Sequence, residues 1–327
     1  MPQRRAQLLT WLQQDCHLSD FDFTPASGDA SFRRYFRLSF SDGSSLIAMD
    51  APPEKEDCHP FIEVTRRLQR TGVHVPEIVE QDLQQGFLLL EDLGERLYLD
   101  ELNTQTADDL YGDASAALLQ IQLKGEVAGL PEYNEALLYT EMALFEDWLV
   151  TKHLGLVLSD DEHAMLERVK SVLVESALAQ PQVLVHRDYH SRNLLRCEVG
   201  NPGIIDFQDA VYGPITYDLV SLLRDCYVRW PLQQVDQWVT DYAEKAIAVG
   251  LMSEDEMPQF LEWFDLMGVQ RHLKAAGIFA RLNQRDGKPG YMQDIPRTLG
   301  YIVEAAQRRP VLKDLADFIA LRVLPVL

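Results

Sequence analysis

The chain has 327 residues, of which 46% are apolar, and a formal net charge of −21. At about 100–200 residues per domain, this length predicts two domains or one large bilobal unit. The acidic balance argues against general binding to nucleic acid or to an anionic membrane surface, because both need a basic face on the protein. The four cysteines form no CxxC pair, and no run approaches the about 20 apolar residues of a membrane span. We therefore expect a cytoplasmic protein with reduced thiols.

The N-terminal part is predicted to contain a small antiparallel sheet. Helical periodicity over residues 3–14 predicts a short amphipathic helix. Apolar residues alternate with polar ones over 36–40, which is the period of a strand. Asp42-Gly43 is a strong hairpin signal and indicates a return strand over Leu46–Met49. An earlier turn, Ser27-Gly28-Asp29, is expected between the first two strands.

One helix and two further strands complete this region. Pro60 is a favourable first residue for a helix that we expect to run to about Arg70. Val75–Val79 and Phe87–Leu90 are apolar runs of strand length. The pattern breaks at Glu91-Asp92-Leu93-Gly94, and no strand follows.

From about residue 103 the chain is mainly helical. We therefore predict an α+β fold with a β-rich N-lobe over residues 1–92 and a mainly helical C-lobe over residues 93–327. No flexible linker separates the two. Helices are expected near 104–123, 134–152, 160–178, 215–229, 232–249, 254–283, 293–308 and 311–322.

The stretch 183–210 interrupts these helices with three short apolar runs, each predicted to be a strand. Polar residues stand between the runs. Asp188 lies in a polar loop after the first strand, where a carboxylate can orient or deprotonate a hydroxyl nucleophile. Most loop aspartates only bond local backbone. The neighbours favour the chemical role, because Asn193 and Asp206 supply hard oxygen ligands of the kind Mg²⁺ takes.

His186-Arg187-Asp188, with Asn193 after four intervening residues, matches the catalytic loop of the protein-kinase fold. A helix follows Asp206 almost at once, with no long activation segment and no Ala-Pro-Glu stop. The pattern therefore predicts a bilobal, protein-kinase-like enzyme for a small-molecule substrate. Asp218, early in that helix, is expected to cap it or to support the catalytic loop.

The motifs resemble those of the aminoglycoside phosphotransferase and choline kinase-like family. They are a Gly-containing turn, LLLEDLG, HRDYHSRN, IIDFQDA and a Tyr-Asp-Leu helix start. The resemblance implies ATP and Mg²⁺ as cofactors, with Asp188 as catalytic base and Asn193 and Asp206 as metal ligands. It implies a hinge for adenine at Glu91, Asp92 and Leu93. It also implies a turn over the phosphates that includes Gly28, Asp29, Ser31 and Phe32, and an ion-pairing glutamate at Glu63.

Two positions depart from that family pattern. The third strand should carry a phosphate-binding lysine, but the corresponding stretch ends in Met49. Arg33, Arg34 or Lys55 is expected to supply the missing cation, although a solvated strand face explains the two arginines equally well. Arg187 stands where many family members have glycine, and it is expected to serve either the structure or the substrate.

The stretches GDASFRRYFRL, MDAPPEKED and RHLKAAGIFARLNQRDGKPGY are similar to those of anomeric sugar kinases of cell-wall recycling. That similarity implies phosphorylation of N-acetylmuramate and N-acetylglucosamine at the anomeric hydroxyl, in peptidoglycan recycling. Basic residues crowd the segment 271–297 of this acidic chain, and a lactyl carboxylate would need such a cation. Trp230, Trp263 and Tyr291 are candidates for stacking on a sugar ring, although aromatic residues at helical spacing are more often part of the core. The substrate-binding candidates are Arg187, His190, Arg271, His272 and Arg281.

Three alternatives remain open at this stage. An aminoglycoside or other small-alcohol phosphotransferase would share the fold, but cationic aminoglycosides would prefer a carboxylate-lined cleft. A catalytically inactive binding module would explain the missing lysine. A lipid or choline kinase would want an aromatic cage for a quaternary ammonium. The sequence leaves the oligomeric state undetermined.

Overall fold

The computed structural model describes residues 2–28 and 32–327. It divides into two compact units, Met1–Arg96 with Leu195–Asp209, and Leu97–Leu194 with Ala210–Leu327. The segment 195–209 thus belongs with the N-terminal region, whereas the sequence interpretation used two contiguous ranges. Backbone hydrogen bonds explain this, since Ile204 N donates to His74 O and Arg196 N donates to Arg96 O. No helix in the described ranges is long and apolar enough to cross a membrane.

The first unit is built on a five-stranded antiparallel sheet. Its strands are β1 (Phe21–Gly28), β2 (Arg34–Phe40), β3 (Ser45–Asp50), β4 (Ile78–Asp82) and β5 (Phe87–Glu91). Their order in the sheet is β1-β2-β3-β5-β4. Helix α1 (Pro2–Gln14) buries Leu8, Trp11 and Leu12 in one apolar cluster with side chains of β2, β3 and β5. The predicted hairpin at Asp42-Gly43 is confirmed.

Helix α2 (His59–Thr71) ends at Gly72, whose φ of 88° provides the left-handed residue that commonly closes a helix. The strand predicted over Val75–Val79 is shifted to Ile78–Asp82. Pro76 explains the shift, because proline has no N–H to donate to a sheet ladder. The residues before Pro76 make only an isolated bridge, between His74 and Gly203.

The second unit is mainly helical. Its helices are α3 (Tyr98–Glu101), α4 (Ala107–Lys124), α5 (Glu135–Leu144), α6 (Asp160–Leu178), α7 (Thr216–Leu223), α8 (Leu232–Ala248), α9 (Met257–Asp286), α10 (Ile295–Ala306) and α11 (Lys313–Phe318). The thirty-residue helix α9 is central and packs against α5, α6, α7, α8 and α10. A π-helix, Phe145–His153, continues α5.

Two differences from the predicted helices bear on the site. The helix predicted over 215–229 ends at Leu223, because the chain turns where the Asp225 carboxylate accepts hydrogen bonds from the backbone N–H groups of Ser191 and Tyr227. The π-helical turns after α5 have no signal in the apolar periodicity. The Asp225 turn contacts the predicted catalytic loop through Ser191.

The three short strands predicted within 183–210 are confirmed. The third strand begins one residue before its apolar run, which starts at Ile204. Strand β6 (Gln182–Val185) pairs antiparallel with β9 (Val211–Pro214). The strands β7 (Leu194–Leu195) and β8 (Gly203–Ile204) form a second two-stranded sheet. The pairing of β6 with β9 places the start of the catalytic loop beside the first turn of α7.

Candidate active site

The catalytic loop is fixed to α7 by Asp218. Its buried carboxylate accepts hydrogen bonds from His186 N at 2.6 Å and from Arg187 N at 2.9 Å. Burial raises the pKa of Asp218 to about 7, although the two backbone donors act in the opposite direction. Arg187 has a φ of 77°, a conformation unfavourable for an L side chain, so the loop needs this support. Of the two roles expected for Asp218, the structure therefore favours support of the loop.

Asp188 lines a cavity of about 160 Å³ in the second unit. Burial alone would raise the pKa of its carboxyl group, but the positive charges of Lys274 and Arg271 and the neighbouring His190 hold it below the ordinary value. The carboxylate is therefore ionised at neutral pH and can accept a hydrogen bond from a substrate hydroxyl. The other lining residues are Tyr217, Cys226, Tyr227, Ala275, Ile278, Phe279, Leu282 and Tyr291.

Two cations line this cavity from α9. Lys274 donates to the Tyr217 hydroxyl at 2.8 Å and lies 3.0 Å from Glu141. Arg271 is 5% exposed, and its Nη1 lies 3.7 Å from Cys226 Sγ. A spacing of three residues puts both side chains on the same face of the helix. The sequence analysis included Arg271 among the substrate candidates but not Lys274, and that i, i+3 spacing was the available signal.

Aromatic side chains form another wall of the cavity. The rings of Phe279 and Tyr291 are stacked with centroids 5.5 Å apart, and Tyr227 lies 6.2 Å from Phe279. The His190 ring meets Tyr227 edge to face at 5.4 Å. The Arg192 guanidinium lies 3.7 Å from the centroid of the Tyr227 ring. An aromatic wall facing cations suits a ligand with both an apolar face and polar substituents, such as a sugar.

The structure brings His190 and Arg271 into the cavity with Asp188, but it does not place the other three substrate candidates there. Arg187 forms an ion pair with the buried Glu141. His272 stacks on Tyr301 and bonds Arg224 O at 2.9 Å, and burial lowers its pKa to about 3. Arg281 also lies on α9. Each residue turns an α-helix by about 100°, so neighbours in sequence face different sides.

The two predicted metal ligands lie in different units, Asn193 in the second and Asp206 in the first. Asn193 Nδ2 donates to the backbone oxygen of Asp188 at 2.9 Å, so Oδ1 is the atom suited to ligate a cation. Asp206 has a φ of 64° and accepts a hydrogen bond from Gln208 Nε2 at 2.9 Å. An amide oxygen and a carboxylate fit Mg²⁺. The described residues contain no cluster of three or more His, Cys, Asp or Glu that could hold a metal by themselves.

The predicted phosphate-binding turn is only partly within the described residues, since Asp29 and Ser31 lie outside them. Gly28 ends β1. Beyond the turn, Phe32 N donates to Glu56 Oε1 at 2.9 Å, and Arg33 lies 4.0 Å from the same carboxylate group. Lys55 Nζ lies 4.3 Å from the centroid of the Phe32 ring.

Asp50 is a residue that the sequence analysis did not consider. It follows the buried Met49, is itself fully buried, and accepts hydrogen bonds from Arg4 at 2.5 Å and from Arg34. Arg34 is thereby held at a fixed position beside β3. Glu63, for which the family resemblance implies an ion pair, lies 2.5 Å from Arg67 of its own helix.

The three residues of the predicted hinge contact neighbouring residues of the first unit. Glu91 accepts a hydrogen bond from Glu77 N at 3.2 Å. Asp92 binds Arg37 Nε at 2.5 Å; burial acts to raise the pKa of Asp92, but the bonds from Arg37 and Gly94 lower it. Leu93 O lies 3.6 Å from Cys197 Sγ. These contacts fix the backbone of the segment, and its contact with adenine stays a prediction.

Comparisons with known proteins find relatives that match most of this chain. The model of the phosphotransferase enzyme family matches residues 22–264. A Pseudomonas putida protein named N-acetylmuramate/N-acetylglucosamine kinase is 48% identical, over 97% of this chain and 96% of its own length. Proteins of the same name from Pseudomonas aeruginosa and Neisseria meningitidis are 50% and 43% identical, over 91% and 94% of this chain and 88% and 92% of their own lengths.

Solved structures with the same fold include kinases of several small molecules. A choline kinase of Cryptosporidium parvum has a TM-score of 0.66 at 10% identity, covering 96% of this chain and 99% of its own. The ADP-bound aminoglycoside phosphotransferase APH(2'')-Ib has a TM-score of 0.61 at 16% identity, covering 90% and 97%. At these identities the likeness concerns the fold alone. Together with the family match, it shows that this chain is a kinase of the protein-kinase-like fold and belongs to the phosphotransferase enzyme family.

Proposed function

We propose that this protein transfers the γ-phosphoryl group of ATP to the anomeric hydroxyl of N-acetylmuramate and N-acetylglucosamine. The products are the sugar 1-phosphates and ADP, and the reaction belongs to peptidoglycan recycling. The observation that carries the proposal is the shared name of relatives that are 43–50% identical and match at least nine-tenths of the chain. The cavity around Asp188 supports it with a combination of cations and aromatic rings.

On the acceptor side, Asp188 receives the hydrogen bond of the anomeric hydroxyl and takes its proton as the phosphoryl group is transferred. An anomeric hydroxyl is more acidic than an ordinary alcohol, so a carboxylate with a lowered pKa is basic enough. Its main contribution is to hold the attacking oxygen in line. The Asp218 anchor preserves this geometry because it fixes the two residues that precede Asp188.

On the donor side, Asn193 and Asp206 are the proposed Mg²⁺ ligands, and bound Mg²⁺ would neutralise charge on the phosphates. Arg34 is the cation best placed to replace the missing third-strand lysine, because Asp50 orients it. The backbone of Glu91, Asp92 and Leu93 is proposed to seat adenine. The turn from Gly28 to Phe32 is proposed to cover the phosphates.

The charge of the cavity argues against the two rival substrate classes. Arg271, which has no carboxylate within ion-pair distance among the described residues, would repel the ammonium groups of an aminoglycoside or the quaternary ammonium of choline. The aromatic wall alone would suit choline. The Arg271 charge therefore favours the amino sugars over these two substrate classes.

A panel of acceptors tests the proposal. Purified protein is incubated with ATP and Mg²⁺ and, in separate reactions, N-acetylmuramate, N-acetylglucosamine, an aminoglycoside or choline, and ADP formation is followed. We expect turnover of the two amino sugars, with the other two acceptors near the background rate. Turnover confined to the aminoglycoside or to choline would contradict the proposal.

A further inference from the structure

The second unit buries four cationic side chains to less than a tenth of their surface, namely Lys170, Arg224, Arg271 and Lys274. Three of them have a carboxylate partner. Lys170 lies 2.7 Å from Glu167, Arg224 lies 2.6 Å from Asp265, and Lys274 lies 3.0 Å from Glu141. Arg271 differs, because no carboxylate among the described residues lies within ion-pair distance of it.

Arg271 also has hydrogen-bonding capacity that the protein leaves unused. Its Nε is buried and has no hydrogen-bond partner among the described residues, and its one side-chain hydrogen bond runs to the weak acceptor Cys226 Sγ at 3.7 Å. A buried guanidinium with few acceptors is costly, because burial weakens the hydration of its charge. A bound anion would supply the missing acceptors, and guanidinium geometry suits a carboxylate in particular.

The position of Arg271 points to an anion on the substrate. The residue lines the same cavity as Asp188, while Lys274, one turn along α9, already has its charge matched by Glu141. The two proposed acceptors differ at one ring carbon, where N-acetylmuramate carries a lactyl ether that ends in a carboxylate and N-acetylglucosamine carries a hydroxyl. The lactyl group is attached two ring carbons from the anomeric carbon, so a single cavity has to accommodate both.

We infer that Arg271 binds the lactyl carboxylate of N-acetylmuramate and thereby sets a preference for the acidic over the neutral amino sugar. This inference rests on the proposed function. It assigns to Arg271 a role in selecting the substrate, not in the chemical step. The aromatic wall of Tyr227, Phe279 and Tyr291 would contact the sugar ring that both acceptors share.

The experiment compares three acceptors: N-acetylmuramate, its neutral lactyl carboxamide, and N-acetylglucosamine. Values of kcat and KM are measured for the wild type, Arg271→Gln, Arg271→Lys and the control Arg168→Gln. Arg168 lies on α6 and is two-thirds exposed, so the control makes the same substitution away from the cavity that Asp188 lines. Thermal unfolding of each variant verifies that it is folded.

For the wild type we expect kcat/KM to fall about 10- to 100-fold when the carboxamide replaces the acid, mainly through KM. Arg271→Gln should lose a similar factor on N-acetylmuramate and little on N-acetylglucosamine, and it should no longer distinguish acid from amide. Arg271→Lys should keep part of the preference. Arg168→Gln should behave as the wild type.

Two results would overturn the inference. One is an equal loss on all three acceptors in Arg271→Gln, which would mean that Arg271 acts on Asp188 or on the phosphates. The other is a wild type that uses acid and amide equally well, and this result decides even if Arg271→Gln fails to fold. A wild type that phosphorylates neither sugar would instead contradict the proposed function.

Discussion

Two buried charges, one in each unit, differ in whether the protein supplies an ion-pair partner. In the first unit, the fully buried Asp50 is held by two arginines, Arg4 and Arg34, from different elements. In the second unit, Arg271 is buried beside Asp188 with no carboxylate partner among the described residues. Both charges lie in regions proposed to bind a substrate, but only Arg271 has no oppositely charged group within ion-pair distance among the described residues.

This difference separates two uses of a buried ion. A charge that the protein itself satisfies fixes the position of its partners, so Asp50 orients Arg34 whether or not a nucleotide is bound. A charge that the protein leaves unsatisfied makes the folded state less stable until a ligand supplies the counter-ion. We therefore expect changes at Asp50 to affect stability first, and changes around Asp188 to affect turnover first.

The largest expected effect is kinetic and lies in the second unit. Asp188→Asn should lower kcat by about 10²- to 10⁴-fold, because the amide cannot take the proton of the hydroxyl. ATP binding, measured by calorimetry, and the thermal unfolding temperature should change little, because the backbone bond from Asn193 to residue 188 remains. A variant with near wild-type kcat would show that Asp188 is not the base.

The next effect is on stability and lies in the first unit. Asp50→Asn should lower the free energy of unfolding by about 2–4 kcal/mol, because it leaves two partly buried arginines without their counter-charge. Urea unfolding measures this difference. Glu63→Gln is the matched control, since the Glu63–Arg67 pair involves a mostly exposed carboxylate and should contribute at most about 0.5 kcal/mol.

The same Asp50 variant should also raise KM for ATP, because Arg34 loses the partner that orients it. Equal stability losses in Asp50→Asn and Glu63→Gln would remove the contrast between a buried and an exposed pair. An unchanged KM for ATP would argue that Arg33 or Lys55, not Arg34, replaces the missing lysine.

The smallest effect concerns Asp218, a buried anion that backbone N–H groups satisfy instead of arginines. Its pKa is about 7 in the folded protein against an ordinary value of 3.8, so between these values the folded state binds more protons than the unfolded state. Stability therefore falls as the pH rises toward 7 and levels off above it. Relative to Asp218→Asn, the free energy of unfolding of the wild type should fall by about 1 kcal/mol between pH 6 and pH 8. A pH-independent difference between the two unfolding curves would contradict this.

Local signals explain how much of the fold the sequence could predict. The Asp42-Gly43 hairpin and the short strands on either side of the His186–Asn193 loop each depend on residues close together in the chain, and each is confirmed. Because of Pro76, β4 begins at Ile78, three residues later than the apolar run predicts. The π-helix at Phe145–His153 had no local signal, because it depends on packing against α9.

The side-chain partners in the candidate site could not be predicted in the same way. The sequence indicates that a lysine is missing at Met49 and that basic residues gather near Arg271. It cannot indicate that Asp50 meets Arg4, 46 residues away, or that Glu141 matches Lys274 and leaves Arg271 unmatched. Such pairings are decided by tertiary packing, which brings distant segments together.

The most direct test of the central proposal is the position of the phosphate on the product. The wild type is incubated with ATP, Mg²⁺ and N-acetylmuramate, and the product is analysed by ³¹P–¹H correlated NMR. The proposed chemistry predicts that phosphorus couples to the anomeric proton, as in a sugar 1-phosphate. Phosphorus coupled to the protons at carbon 6, or no phosphorylated sugar at all, would contradict it.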